Sequence, residues 1–133
     1  MSDVTLPIST LLVCGLAILF VILTSRVIQL RIRCRVSLGD GGNPELHRAI
    51  RAQGNLVEVA PLFVLLVLVG EMQGAAALWL GPLAAAFLVG RAMHGSCLAF
   101  LKSNMFLRSG GMILSLIPMI AMILVDLAVI ISG

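Results

Sequence analysis

Tyrosine is absent from the sequence, tryptophan occurs once, and only 11% of the 133 residues are charged. A typical soluble domain has about 25% charged residues, so this scarcity argues against an ordinary soluble protein. Together with 60% hydrophobic residues and a mean hydropathy of +1.14, it is typical of a membrane protein. The length fits one domain spanning residues 1–133.

Cysteine is also scarce, with three residues at Cys14, Cys34 and Cys97 that form no C-x-x-C pair. Zinc coordination and dithiol redox chemistry therefore have little support, and we predict no metal site. A quinone-linked thiol oxidoreductase is disfavoured for the same reason, because it needs paired cysteines.

Charge is missing from four stretches, residues 4–25, 59–70, 72–90 and 109–125. A bilayer core requires about 20 apolar helical residues, and a soluble bundle would show polar outer faces that these stretches lack. We therefore predict an all-α integral membrane four-helix bundle with helices over residues 6–33, 44–72, 75–101 and 108–131. Residues 36–45 and 102–111 are predicted to be polar loops, and Asn43 and Pro44 are typical of a helix start.

The basic residues flank two connections, the one between the first and second helices and the one between the third and fourth. They are Arg26, Arg31, Arg33, Arg35, Arg48, Arg51, Arg91, Lys102 and Arg108. The opposite ends carry Asp3 and Glu71. By the positive-inside rule we expect both basic connections in the cytoplasm and both termini outside, and this distribution argues against a nucleic-acid partner. Asp126, near the outer end of the fourth helix, is interpreted as an interfacial carboxylate rather than a proton relay.

Two helices carry polar stripes to the same end of the predicted bundle. Because a helix turns by about 100° per residue, Arg48, Arg51, Asn55 and Glu58 fall within about 80° of one another. In the third helix, Arg91, His94 and Lys102 form a second stripe of the same kind.

Ionisable groups at membrane depth are costly and normally face a bundle interior, a partner or water. One interpretation is that Arg51 and Glu58 pair with each other, or with Arg91, and hold the bundle together. The alternative is a polar pocket that binds a small molecule with more than one carboxylate and an ammonium group. Arginine binds carboxylates bidentately, and Glu58 would accept the ammonium.

The spacing R-A-x-x-N-x-x-E-x-x-P, here Arg51, Ala52, Asn55, Glu58 and Pro61, resembles the signature of the MAPEG superfamily. These are the membrane-associated proteins in eicosanoid and glutathione metabolism. G-R-x-x-H at residues 90–94 and Arg-Ser at residues 108–109 are similar to its third- and fourth-helix motifs. RVSLGDGGNPEL, EMQGA and GRAMH resemble the bacterial YecN-like inner-membrane branch, and the similarity covers nearly the whole chain.

The resemblance implies a homotrimer embedded in membrane lipid, with glutathione as co-substrate bound between neighbouring subunits. The residues implied as glutathione ligands are Arg31, Arg51, Asn55, Glu58, Arg91 and His94. Arg31 would reach the ligand from the adjacent protomer, with Arg33 as the alternative. Arg108 resembles the family's catalytic arginine, which activates the thiol because a neighbouring cation favours the thiolate.

The sequence departs from the catalytic members of the family at two positions. Those proteins usually carry tyrosine one residue after the glutamate and again on the third helix, where this chain has Val59 and Leu98. Two functions therefore stay open. The first is a glutathione transferase or peroxidase acting on a lipophilic small-molecule electrophile in the bacterial inner membrane. The second is a non-catalytic protein that binds glutathione or lipid without turnover.

A small four-helix multidrug exporter has a similar size but needs a membrane carboxylate in its first helix. Residues 4–25 contain none, so this class is disfavoured.

Overall fold

The computed structural model describes residues 5–102 and 104–133, and this part of the chain folds into four helices. They are α1 (Pro7–Cys34), α2 (Pro44–Met72), α3 (Ala77–Phe100) and α4 (Met105–Ser132). Each helix is long and apolar enough to cross a membrane, which agrees with the all-helical, four-span prediction. Asp3, expected at the outer end, lies outside the described residues.

The starts of α1 and α2 are capped in different ways. The side chain of Asn43 accepts hydrogen bonds from the backbone N–H groups of Glu45 and Leu46, and α2 starts at the next residue, Pro44. The start of α1 has a distant cap, because the backbone N–H groups of Ile8 and Ser9 donate to the Glu71 carboxylate at 2.9 and 2.8 Å. Glu71 therefore ties the C-terminal end of α2 to the positive end of α1.

The sequence predicts a loop over residues 102–111 and, overlapping it, a helix over residues 108–131. Because α4 begins at Met105, the loop prediction is wrong from that residue onward and the predicted helix starts three residues late. The side chain of Asn104 caps α4 by accepting from the backbone N–H of Leu107. Gly111, interpreted from the sequence as a loop glycine, lies inside α4 and packs on Gly90 of α3. A Cβ added at Gly90 would lie 2.8 Å from the Gly111 carbonyl oxygen. In a membrane bundle, small residues of this kind allow two helix backbones to approach closely.

The core is apolar and draws on all four helices. Its fully buried large side chains include Leu23 of α1, Phe63 of α2, Phe87 of α3 and Met122 of α4. The Phe63 and Phe87 rings stack with centroids 3.9 Å apart. Isoleucine, leucine and valine side chains cover much of the exposed helix surface, as expected for helices that face lipid.

Asp126, predicted to be an interfacial carboxylate, is buried between helices, and its residue is only 7% exposed. Its carboxylate oxygens have no hydrogen-bond partner among the described residues. A Cβ at Gly70 would lie 2.5 Å from the Asp126 Oδ1, so the glycine of α2 leaves the space that this carboxyl group fills.

Candidate functional site

A polar cavity of about 500 Å³ opens at the end of the bundle that carries the basic residues. Its wall consists of side chains from α2, α3 and α4: His47, Arg48, Arg51, Asn55, His94, Leu98, Arg108 and Met112. Ligand pockets in proteins have volumes of about 300–1,000 Å³, so this one has room for a small molecule.

Helical spacing explains how the three helices supply this wall. Residues three or four positions apart lie on the same side of a helix. The lining residues have this spacing in each helix: His47, Arg48, Arg51 and Asn55 in α2, His94 and Leu98 in α3, and Arg108 and Met112 in α4. The two stripes predicted from the sequence therefore meet only in part. Arg48, Arg51 and Asn55 of the first stripe and His94 of the second line the cavity, and the early start of α4 adds a third set of lining residues. The remaining stripe residues, Glu58, Arg91 and Lys102, are not part of this lining.

Arg91 lies behind this wall and is only 2% exposed. Its Nε donates to Ser115 Oγ at 2.7 Å, its Nη1 donates to Asn55 Oδ1 at 2.5 Å, and one Nη2 hydrogen bond of 3.3 Å reaches the Gly111 carbonyl. Within residues 5–102 and 104–133 no carboxylate lies within ion-pair distance of Arg91. It is a buried cation held by neutral acceptors, and it links three helices.

The contact with Arg91 fixes the orientation of the Asn55 amide. Because a guanidinium can only donate, Asn55 must present its Oδ1 to Arg91. Its Nδ2 is thereby available as a donor to a ligand in the cavity, which suits a carboxylate.

His94 is buried and also joins two helices. Its Nδ1 lies 3.2 Å from the carbonyl oxygen of Arg108, so Nδ1 carries the proton and donates. The contact fixes the first turn of α4, which holds Arg108, against α3.

The cavity has a strongly positive lining. Three of the lining residues are arginines, Arg48, Arg51 and Arg108, and among the lining residues in the described part of the chain there is no carboxylate. Such a lining favours an anionic ligand, and three guanidinium groups suit carboxylates in particular.

Glu58 lies one turn beyond Asn55 on α2 and outside this lining. Its Oε1 is 3.7 Å from Arg51 Nη1, and the two side chains are 58% and 53% exposed. The predicted pairing of Arg51 with Glu58 is therefore present, and the polar cavity, which was the alternative interpretation, lies next to it. Neither side chain pairs with Arg91.

Arg31 and Arg33 are not brought to the cavity of their own chain. Arg31 Nη1 donates to carbonyl oxygens of the loop after α1, with the shortest distance, 2.9 Å, to Gly39. Arg33 pairs with Glu45, which also accepts from Arg26 Nη2 at 2.6 Å. These contacts hold the loop and the start of α2 against the end of α1.

The sequence interpretation missed two polar residues of the site, His47 and Ser115. His47 precedes Arg51 by one helical turn, so extending the α2 stripe backwards would have found it. Ser115 is a lone hydroxyl in an apolar helix, and only the packing of α4 on α3 shows that it accepts from Arg91. No cluster of three or more metal-ligating side chains occurs in the described ranges.

Comparisons with known proteins identify the family to which this sequence is similar. The sequence profile described as the MAPEG family matches residues 9–128. Two curated relatives, both named inner membrane protein YecN and from Escherichia coli K12 and Escherichia coli O6:H1, are 44% identical over 68 residues. That stretch is 51% of this chain and 52% of each relative, so the match spans about half the length of the curated relatives.

Proposed function

Since this chain belongs to the MAPEG family, we propose that it is a membrane protein that binds glutathione in the cavity lined by α2, α3 and α4. We further propose that it acts as a glutathione transferase or peroxidase on lipophilic electrophiles. The bilayer would supply the apolar substrate, and the cytoplasm would supply glutathione.

The single observation that carries the proposal is a cavity of about 500 Å³ with three arginines and no lining carboxylate in the described chain. Glutathione has two carboxylates and one ammonium group, so its net charge is opposite to that of the lining. Arg48 and Arg51 would bind these carboxylates bidentately, and the Nδ2 of Asn55 would add a donor.

Arg108 supports the catalytic part of the proposal. It lies in the first turn of α4, where the helix dipole is positive, and it is one of the residues that line the cavity. Both effects favour a thiolate over a thiol in the ligand. The thiolate would form a bond to the electrophilic carbon while the leaving group departs with the electron pair.

The exposure of Arg51 and Glu58 supports assembly with further copies of the chain. Both lie on a membrane-crossing helix, and exposing two charged groups to lipid is costly. A neighbouring copy packed on this face would shield them, in the homotrimer that the family resemblance implies. The neighbour's α1 would then supply Arg31 or Arg33 to the ligand. We propose the inner membrane as the location, with the cavity on the cytoplasmic side.

A second function, glutathione binding without turnover, is favoured by one specific observation. Leu98 forms part of the cavity wall, and Val59 packs against the apolar core. Catalytic members of the family usually have tyrosine at both positions, so the cavity wall has no phenol donor at Leu98 and α2 has none at Val59.

Two measurements on the detergent-purified protein test these functions. Glutathione at millimolar concentration is expected to stabilise the wild-type protein against thermal unfolding, because a ligand that binds only the folded state stabilises it. The absence of stabilisation would refute glutathione binding. Conjugation of a lipophilic test electrophile by the wild type and its loss in Arg108→Ala would support the enzyme. Stabilisation without conjugation would leave the non-catalytic binder.

A further inference from the structure

The loop between α1 and α2 places a carboxylate beside the cavity. Gly39, Gly41 and Gly42 have positive φ angles of 66°, 57° and 75°, a backbone conformation that side chains other than glycine's rarely adopt. This path turns the chain at Asp40, whose Oδ1 accepts from the backbone N–H of Gly42 at 2.9 Å. The Gly42 N–H and the side chain of His47 hold the pKa of Asp40 below its usual range, so it is a carboxylate at neutral pH.

The second oxygen of Asp40 orients a histidine of the cavity wall. Asp40 Oδ2 lies 2.7 Å from Nδ1 of His47, in the first turns of α2. Because a carboxylate only accepts, Nδ1 must carry the proton. In the neutral imidazole Nε2 is then an unprotonated acceptor, and only the imidazolium presents an N–H at Nε2.

We propose that His47, oriented by Asp40, is a pH-dependent binding residue for the carboxylate end of the ligand in this cavity. This proposal rests on the proposed function, glutathione binding. As an imidazolium, His47 would donate from Nε2 to a ligand carboxylate and add a positive charge to the lining. As a neutral imidazole it would offer that carboxylate only a lone pair.

The other charged groups of the cavity come from three helices. Arg48 and Arg51 lie on α2, His94 on α3 and Arg108 on α4, and Asp40 supplies the negative charge from the loop. The arginines stay charged throughout the neutral range. The chain has two histidines, His47 and His94. Substituting each of them in turn shows which histidine causes a change of binding affinity with pH near neutrality.

The test is titration calorimetry with S-methylglutathione, a probe without a titratable thiol, at about pH 6 and about pH 7.5, the range in which imidazoles change charge. The wild type is expected to bind about two- to fivefold tighter at the lower pH, the range expected for a partly exposed ion pair. His47→Gln is expected to remove most of this ratio, and His94→Gln is expected to keep it. Any change in the charge of the probe between the two pH values affects all variants equally.

His47→Arg provides a second readout, because it makes the charge permanent. It is expected to bind at about pH 7.5 as tightly as the wild type binds at about pH 6. An unchanged ratio in His47→Gln, or its loss in His94→Gln alone, would overturn the role of His47. If the wild type bound no probe at either pH, the proposed function itself would fall.

Discussion

Asn55→Leu is the substitution for which the structure predicts the largest effect from a single lost contact. Asn55 Oδ1 accepts from Arg91 Nη1 at 2.5 Å, and Arg91 is buried without a carboxylate partner in the described chain. Leucine has a similar size but no acceptor, so the substitution leaves one side of a buried guanidinium unsatisfied. A hydrogen bond to a charged group contributes about 1.5–3 kcal/mol, and we expect a loss of about 2 kcal/mol in the free energy of unfolding.

Gln53→Leu is the matched control, because it removes an amide from the same helix. Gln53 Nε2 donates to Thr24 Oγ1 at 2.8 Å, an interhelical contact between two neutral groups. Such contacts in membrane proteins average about 0.6 kcal/mol. The difference between the losses in the free energy of unfolding of the two variants therefore measures how much the charge of Arg91 adds to its hydrogen bond with Asn55.

The assay is reversible unfolding in mixed micelles with increasing SDS, followed by far-ultraviolet circular dichroism at one fixed protein concentration. The double variant Asn55→Leu with Arg91→Met is expected to recover most of the loss, because it removes the cation together with its acceptor. The reasoning would be refuted if Asn55→Leu cost no more than Gln53→Leu, or if the double variant were less stable than Asn55→Leu alone.

Three further outcomes are expected. Gly111→Ala should lower the free energy of unfolding by about 1–3 kcal/mol, since its Cβ would lie 2.7 Å from the Gly90 carbonyl oxygen. Gly81→Ala is the control, because a Cβ added there has no neighbouring atom within 4 Å, and it should leave the stability unchanged or raise it. Equal effects of Gly111→Ala and Gly81→Ala on the free energy of unfolding would contradict the α3–α4 contact. Glu71→Gln should cost about 1 kcal/mol in the same assay by weakening the cap of α1, and an unchanged stability would argue against that cap. Leu98→Tyr should tighten glutathione binding about three- to tenfold in calorimetry, the contribution of one hydrogen bond, whereas weaker binding would show that the wall has no room for a phenol.

The four helices were largely predictable because their signals are local. Long uncharged runs require a membrane or a large core, and Asn43 followed by Pro44 predicts the start of α2 at the residue where the structure has it. The start of α4 was not predictable in this way. Gly110 and Gly111 are typical of a loop in a soluble chain, but here Gly111 makes a close contact with Gly90 of α3, which lies 21 residues earlier in the chain.

The candidate site was predictable in its chemistry and only partly in its contacts. Helical periodicity gives the direction in which Arg51, Asn55 and His94 project from their own helices. It does not give which groups meet across helices, so the hydrogen bond from Arg91 to Ser115 needed the structure. It also could not show that Arg31 binds loop carbonyls within its own chain, because that contact depends on the fold of a glycine-rich loop.

The central claim, that the arginine-lined cavity binds glutathione, is tested most directly by calorimetric titration of glutathione into wild type, Arg51→Ala and Arg26→Ala. Arg51 lines the cavity, whereas Arg26 lies at the same end of the bundle, outside that lining, and pairs with Glu45. Saturable binding is expected for the wild type and for Arg26→Ala, with about tenfold or greater weakening in Arg51→Ala, since a charge-assisted contact is lost. No saturable binding to the wild type, or equal affinities in the two arginine variants, would contradict the account.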